Sequence, residues 1–336
     1  MTSTLDLKGR SILTLNDLSD REFIDLIDLA IQLKRAKCSQ AAPTNPPLAG
    51  KNIALLFQKA STRTRCAAII AAHDLGAHAE YLGQQDIHIG KKETVADTAR
   101  VLGRMFDGIL FRGFKHETVE TLARHAGTPV WNGLTDSSHP SQILADLQTM
   151  KEYFGYLGGL NVVYVGDGRN NVCNSLMLGC AKAGIHFVNC CPAELNPSSD
   201  RVDAASRIAA GNGSTVRVCN KPDEAAEKAN VIYTDVWVSM GEESEFDERL
   251  RLLRPFQVNM PMMKQTGNLD GRKVIFLHCL PAFHNSQTAF TAETGALEVA
   301  DDVFEAPFSK VFDQAENRMH TIKAMMLATV EPWRQH

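Results

Sequence analysis

Apolar residues in this chain fall into two patterns that alternate along its length. Short unbroken runs of strand length, such as "NIALLF" at 52–57 and "GILFR" at 108–112, are separated by longer stretches with apolar positions at helical spacing. The first helical stretch, "DLSDREFIDLIDLAIQLKRAK", puts Phe23, Leu26, Ile27 and Ala30 on one face. A Pro-rich loop at 38–50 follows it. From there the pattern predicts strand 52–57, helix 61–75, strand 79–82, a helix in "ETVADTARVLGRMF", strand 108–112, helix 116–126 and strand 128–132. The loop "GLTDSSHPSQ" then leads into the helix "ILADLQTMKEYF". Apolar strands alternating with helices indicate a parallel sheet with helices on its faces.

"GYLGGL" (155–160) marks a boundary, because a second α/β series starts after it. That series runs through strand "NVVYVGD", helix "NVCNSLMLGCAKAG", strand "HFVNCC", helix 201–210, strand "TVRVC" and helix "DEAAEKA". It continues with strand "VIYTDVW", a helix near 245–253 and strand "KVIFLHCL", and "AENRMHTIKAMMLATV" reads as a long closing helix. There is no internal repeat. The expected fold is α/β with two domains, each a mostly parallel sheet flanked by helices.

Composition agrees with this picture. A chain of 336 residues has two domains as its natural prior. With 44% hydrophobic and 22% charged residues it has the make-up of an ordinary soluble protein. A net charge of −4 argues against general nucleic-acid binding, so the arginines are expected to act locally. No apolar run reaches membrane-spanning length, and "MTSTLDLKGRSILTL" lacks the apolar core of a secretory signal. Eight cysteines without CxxC spacing suggest reduced thiols and a cytoplasmic location. Adjacent Cys190 and Cys191 are most simply strand-end residues.

The chemistry-bearing residues cluster after strands. Strand 52–57 runs into Ser61, Thr62, Arg63, Thr64 and Arg65, with Ser61 a good N-cap. Free amide N–H groups, hydroxyls and guanidinium forks at a helix start suit phosphate oxygens. A capped surface helix with solvated arginines explains that stretch alone equally well. Five more polar clusters follow strands, however: Arg112, "SHPSQ" with His139 and Gln142, "GDGRNN" (166–171), "DVWVSMG" with Asp235, and "HCLPAFH" from His278 to His284. Ligands of parallel α/β sheets bind beyond the carboxyl ends of strands, where these clusters lie. Dinucleotide binding at "GDGRNN" ranks low: Asn171 takes the third glycine position, and no acidic residue ends the next strand. Metal binding by His278, Cys279 and His284 is also weak, since strand neighbours point to opposite faces.

Over essentially its whole length the chain resembles the aspartate/ornithine carbamoyltransferase family. The resemblance runs from "NIALLFQKASTRTRCA" through "KETVADTARVLGRMFDGILFRG", "VWNGLTDSSHPSQILADL", "GDGRNN", "YTDVWVSMGE" and "HCLPAFH" to "VFDQAENRMHTIKA". S-T-R-T-R and H-P-x-Q mark the superfamily, and D-x-W-x-S-M-G with H-C-L-P marks its ornithine branch. The resemblance implies transfer of a carbamoyl group from carbamoyl phosphate to the side-chain amine of ornithine, giving citrulline and phosphate. It implies domains at 1–150 for carbamoyl phosphate and 151–315 for ornithine, with 316–336 a C-terminal helix returning to the first. Ser61, Thr62, Arg63, Thr64, Arg65, His88, Arg112, His139, Gln142, Cys279, Leu280 and Arg318 are the implied carbamoyl-phosphate contacts. Asn171, Asp235, Ser239 and Met240 are the implied ornithine contacts, and Arg112, His139, Cys279 and Asp235 the implied catalytic set.

No cofactor or metal is implied, because carbamoyl phosphate is already activated. A homotrimer or a multiple of it is implied, as are a cytoplasmic location and a place in arginine metabolism, including amino-acid biosynthesis. The sequence leaves the anabolic or catabolic direction open. Two departures stand out: Gln58 replaces the usual Glu before the S-T-R-T-R loop, and in "IHIGKKE" His88 replaces Gln and Lys91 replaces His. These read either as neutral variation or as a retuned phosphate pocket. Alternatives are a carbamoyltransferase for putrescine or lysine, a non-catalytic relative kept for binding, and a toxin-tolerant paralogue. "VSMG" favours an amino acid over a diamine, and intact Arg63, Arg112, His139 and Cys279 favour catalysis.

Overall fold

The computed structural model describes residues 5–39, 45–90, 92–238, 245–271 and 273–331. The chain separates into two units, Met1–Gln148 with Ala315–His336, and Thr149–Gln314.

In the first unit, α1 (Asp20–Cys38) starts at a capping box. Ser19 Oγ accepts from the Glu22 N–H while the Glu22 carboxylate accepts from the Ser19 N–H. The apolar face read from the sequence, Phe23, Leu26, Ile27 and Ala30, is buried. Then come β1 (Asn52–Phe57), α2 (Thr62–Asp74), β2 (His78–Leu82), α3 (Val95–Met105), β3 (Gly108–Arg112), α4 (His116–Ala126), β4 (Val130–Leu134) and α5 (Pro140–Phe154). The strands form a parallel sheet in the order β2-β1-β3-β4. Central β1 and β3 are buried from Ile53 to Phe57 and throughout 108–112, which is why they read as unbroken apolar runs. The chain winds outward in opposite directions from β1 and β3, so their carboxyl ends form a switch point suited to a ligand.

In this unit two boundaries differ from expectation, and in the second unit the strands read as "VIYTDVW" and "KVIFLHCL" extend only over Val231–Thr234 and Ile275–His278. β4 lies two residues later than the predicted strand, and α5 begins at Pro140 rather than 143. Proline at a first helical position has no N–H to lose, so "SHPSQ" is the helix start itself. The last helix, α12 (Val311–Val330), belongs to this unit from Ala315 onward. Lys34 Nζ donates to Asn317 Oδ1 at 2.8 Å, Trp131 Nε1 donates to Thr329 Oγ1 at 2.9 Å, and Lys323 is salt-bridged to Asp74.

The second unit holds β5 (Asn161–Val165), α6 (Asn171–Lys182), β6 (His186–Cys190), α7 (Ser199–Gly211), β7 (Val216–Cys219), α8 (Pro222–Ala226), β8 (Val231–Thr234), α9 (Phe246–Leu253), α10 (Met260–Gln265), β9 (Ile275–His278) and α11 (Asp301–Phe304). Its sheet is parallel in the order β7-β6-β5-β8-β9, with the switch point between β5 and β8. The short helices α10 and α11 had no periodic signal in the sequence. All eight cysteines are free thiols, and five of them, Cys173, Cys180, Cys190, Cys191 and Cys219, are buried. Burial pushes the Cys190 and Cys191 thiols up, so both stay protonated and act as packing groups.

Candidate active site

In the first unit the switch point gathers three of the sequence clusters. Ser61 caps α2 by accepting from the Thr64 N–H at 3.2 Å, which places Thr62, Arg63 and Thr64 in the first helical turn. The backbone register sets Phe57 of β1 beside Arg112 of β3, and the Gln58 N–H donates to the Arg112 carbonyl at 2.8 Å. Pairing between β3 and β4 shifts register at Phe111/Arg112, an irregularity that re-aims a strand-end side chain. Arg112 is buried. A Cβ on the following Gly113 would stand 2.3 Å from the Phe111 ring and 2.5 Å from Gln58 Oε1, so only glycine fits between them.

His139 precedes α5 and is buried, held by a loop in which Asn132 Nδ2 donates to the Ser138 carbonyl at 3.3 Å. Burial, with the Arg318 and Arg112 guanidiniums nearby, holds its pKa well below the usual histidine value. His139 is therefore a neutral imidazole at physiological pH, offering one N–H donor and one acceptor. Arg318, from α12, donates to Gln142 Oε1 at 2.8 Å, to Thr64 Oγ1 at 2.9 Å and to Ser141 Oγ at 3.4 Å. The C-terminal helix thus ties the start of α2 to the start of α5.

Not every residue of the anion cluster points the same way. Arg65 is exposed, with its guanidinium 3.7 Å from the centre of the Tyr81 ring. His88 is exposed on the loop after β2, its carbonyl accepting from the Lys92 N–H at 3.0 Å. Lys91, Ser239 and Met240 lie outside the described residues.

In the second unit the carboxyl ends of β5, β8 and β9 carry the remaining clusters. Asp235 follows β8 and is buried. Burial raises its carboxyl pKa from the ordinary 3.8 to about 6, with Glu298 adding to the rise, while His278, the Val236 N–H and the Asn170 side chain oppose it. Asn170 caps α6, its Oδ1 accepting from the Val172 N–H at 2.7 Å, and Asn171 opens that helix half-buried. In "GDGRNN" the second glycine serves packing: a Cβ on Gly168 would lie 2.7 Å from both Cys191 Sγ and the Leu195 carbonyl. That accounts for Gly168 without a dinucleotide.

Cys279 and Leu280 follow β9 and are half-buried, and the Leu280–Pro281 peptide is cis. His278 Nε2 lies 3.1 Å from Glu298 Oε1, both side chains wholly buried, and that same carboxylate oxygen accepts from the Phe283 N–H at 2.6 Å. Glu298 and the buried Asp167–Arg249 ion pair gave no sequence signal, since each partner lies far away in the chain. Among the described residues, one group has metal-ligand atoms within 4.8 Å of one another: His284, Asp301 and Glu305. In it His284 Nδ1 is already 2.5 Å from Asp301 Oδ1, and both carboxylates are exposed.

Two consecutive family models between them cover these residues. Residues 10–152 match the carbamoyl-P binding domain of aspartate/ornithine carbamoyltransferase, and residues 158–329 match its Asp/Orn binding domain. The chain belongs to the aspartate/ornithine carbamoyltransferase family. Within that family it is 54% identical to a catabolic ornithine carbamoyltransferase of Bacillus licheniformis, over 98% of this chain and 99% of that protein. A catabolic ornithine carbamoyltransferase of Bacillus cereus is 55% identical over 97% of both. Among solved structures, the ornithine carbamoyltransferase of Pyrococcus furiosus superposes with a TM-score of 0.89 at 42% identity, covering 97% of this chain and 98% of that one. Among the described residues no helix is long and apolar enough to cross a membrane.

Proposed function

We infer that the chain is an ornithine carbamoyltransferase: it transfers the carbamoyl group of carbamoyl phosphate to the side-chain amine of L-ornithine, giving L-citrulline and phosphate. The observation that carries this reading is the full-length match to both binding-domain models in chain order. The attacking amine nitrogen bonds to the carbamoyl carbon, and the bond from that carbon to the phosphate oxygen breaks. Phosphate leaves with the electron pair, and the amine gives up a proton. Charge accumulates on the departing phosphate, so guanidinium and hydroxyl donors aimed at it bind the transition state better than the ground state.

Ser61, Thr62, Arg63, Thr64 and Arg112 are the groups we assign to that phosphate, with Arg65 the weaker member because its planar face is spent on Tyr81. His139, Gln142 and Arg318 are assigned to the carbamoyl group. A neutral His139 would act there as a hydrogen-bond donor rather than as a cation. In the second unit Asp235 and Cys279 are assigned to the reacting end of ornithine and Asn171 to its α-groups. Cys279 and Leu280 also keep the carbamoyl-phosphate contact their motif implies, and Ser239 and Met240 keep theirs to ornithine. Ornithine's δ-ammonium has a pKa of roughly 10, so the site must bind or create its neutral form. A carboxyl titrating near 6 is ionised at neutral pH and attracts the ammonium, yet is basic enough to share its proton.

The catabolic names of the relatives favour a degradative direction over biosynthesis for this chain as well. A cytoplasmic location and a homotrimer, with the His88 loop lent to a neighbouring subunit, complete the reading. Steady-state kinetics with carbamoyl phosphate against ornithine, lysine and putrescine, without added metal, test it. Citrulline and phosphate should form fastest from ornithine, and faster turnover of either other amine would overturn the substrate assignment.

A further inference from the structure

One buried carboxylate in the first unit has no part in the roles above. Asp146 lies one turn along α5 from Gln142, at 0% exposure, and accepts from Gln142 Nε2 at 2.8 Å. The other end of the same amide, Gln142 Oε1, accepts from Arg318 Nη1 at 2.8 Å. Gln142 and Arg318 are themselves 3% and 4% exposed.

This arrangement allows one orientation of the amide. A guanidinium can only donate and a carboxylate can only accept, so rotating the Gln142 amide by half a turn would set donor against donor and acceptor against acceptor. Both mismatches would be buried, where an unmet polar group is costly. Arg318 fixes the oxygen end of the amide, and Asp146 adds the second constraint at the nitrogen end.

We propose that Asp146 is a positioning residue that locks the Gln142 amide with its oxygen toward the carbamoyl site, making the enzyme selective for an acyl phosphate that carries an N–H donor. The inference rests on the assignment of Gln142 to the carbamoyl group. An amide oxygen has two lone pairs, so one can serve Arg318 while the other accepts from the carbamoyl NH2. Acetyl phosphate has nearly the same shape but carries a methyl group in place of that NH2. A fixed acceptor facing the methyl would be left unpaired, whereas a freely turning amide would discriminate less.

The test compares the KM for carbamoyl phosphate, the inhibition constant for acetyl phosphate and the inhibition constant for inorganic phosphate, in wild type and in Asp146→Ala, Asp146→Asn and Gln142→Ala. Asp146→Ala should reduce selectivity for carbamoyl over acetyl phosphate about tenfold, the worth of one ordinary hydrogen bond, while phosphate inhibition changes less than twofold. Asp146→Asn keeps an oxygen able to accept from Nε2 and should retain most of the selectivity. Asp146→Ser, whose hydroxyl is too short to reach Gln142, is read the same way as alanine if the alanine variant does not fold.

Equal weakening of phosphate and carbamoyl phosphate in Asp146→Ala would make Asp146 a purely structural residue and overturn the proposal. So would wild-type selectivity in that variant, or an Asn variant as unselective as the Ala variant. Gln142→Ala separates the two readings. If it leaves selectivity unchanged, Gln142 does not meet the carbamoyl group, and the assignment itself fails. If it lowers selectivity and Asp146→Ala does not, only the role of Asp146 is lost.

Discussion

Arg112 and Asp235 illustrate what one side chain contributes when a fold buries it beside a strand end. If Arg112 and Arg63 bind the phosphate as proposed, replacing either by alanine removes one positioned donor to a transition-state anion and should cost roughly 10²–10³ in kcat. Circular dichroism should show the fold retained, and a loss of tenfold or less for both variants would mean that phosphate binds elsewhere. Asp235 makes the opposite trade. Its carboxyl is raised to about 6 in the folded chain, above its unfolded value, so the associated stability is present in acid and lost as pH rises through about 6. Keeping it ionised at pH 7.5 costs about 3 kcal/mol. Asp235→Asn should therefore melt at a higher temperature than wild type at pH 7.5, with about half that advantage at pH 5, while losing ornithine turnover. An unchanged or lower melting temperature at pH 7.5 would contradict a strained carboxylate. At this scale the sequence was informative wherever a residue ended an apolar run, as Arg112 does. It was silent where a residue matters through a distant partner. His278 and Glu298 are twenty positions apart with no periodic link, and Gln142 meets Arg318 across 176 positions.

Among the elements, α6 begins at a cap residue that also bonds a buried carboxylate. With Asn170 Oδ1 occupied by the Val172 N–H, the amide nitrogen is the end left to bond the Asp235 carboxylate. Asn170→Ala removes the cap, costing about 1 kcal/mol. It also removes a donor that favours the ionised carboxylate, so the acid limb of kcat/KM for ornithine should move to higher pH. Asn170→Asp preserves the cap but sets a second carboxylate near Asp235, and should move that limb further still. Profiles of both variants that coincide with wild type would detach Asn170 from the site. Central strands were readable because burial on both faces leaves no polar alternation to mislead, as 108–112 and 52–57 show. The start of α5 was misplaced because "SHPSQ" looks like loop until proline is seen as a first helical residue. α10 and α11, at six and four residues, are too short to display a period.

For the whole molecule, the proposed homotrimer makes its own test. Light scattering on active enzyme should give three times the chain mass or a multiple, and a fully active monomer would remove the shared-loop reading. In the same assembly His88→Gln restores the residue usual in the family. If His88 reaches a neighbour's phosphate site, wild type and variant should differ in their saturation profiles for carbamoyl phosphate. Superimposable profiles would make His88 neutral variation. The alternation of strands and helices disclosed the two-sheet architecture, whereas no rule of pattern could assign 315–330 to the first sheet's unit; the family resemblance alone suggested it.

That assignment bears on how the enzyme is made. The first unit comprises both ends of the chain, with the second unit encoded in between. Domains fold as they leave the ribosome, amino end first, at a pace of about 5–20 residues per second. Here the first segment to emerge must wait through 166 intervening residues, the span of Thr149–Gln314, for the helix that carries Arg318. The nascent chain should therefore complete its ornithine half while its phosphate half is still unfinished, the reverse of its gene order. On the proposed assignment of Arg318, a chain cut short before it lacks the bonds to Gln142 and Thr64 and should bind carbamoyl phosphate more weakly than the full-length protein.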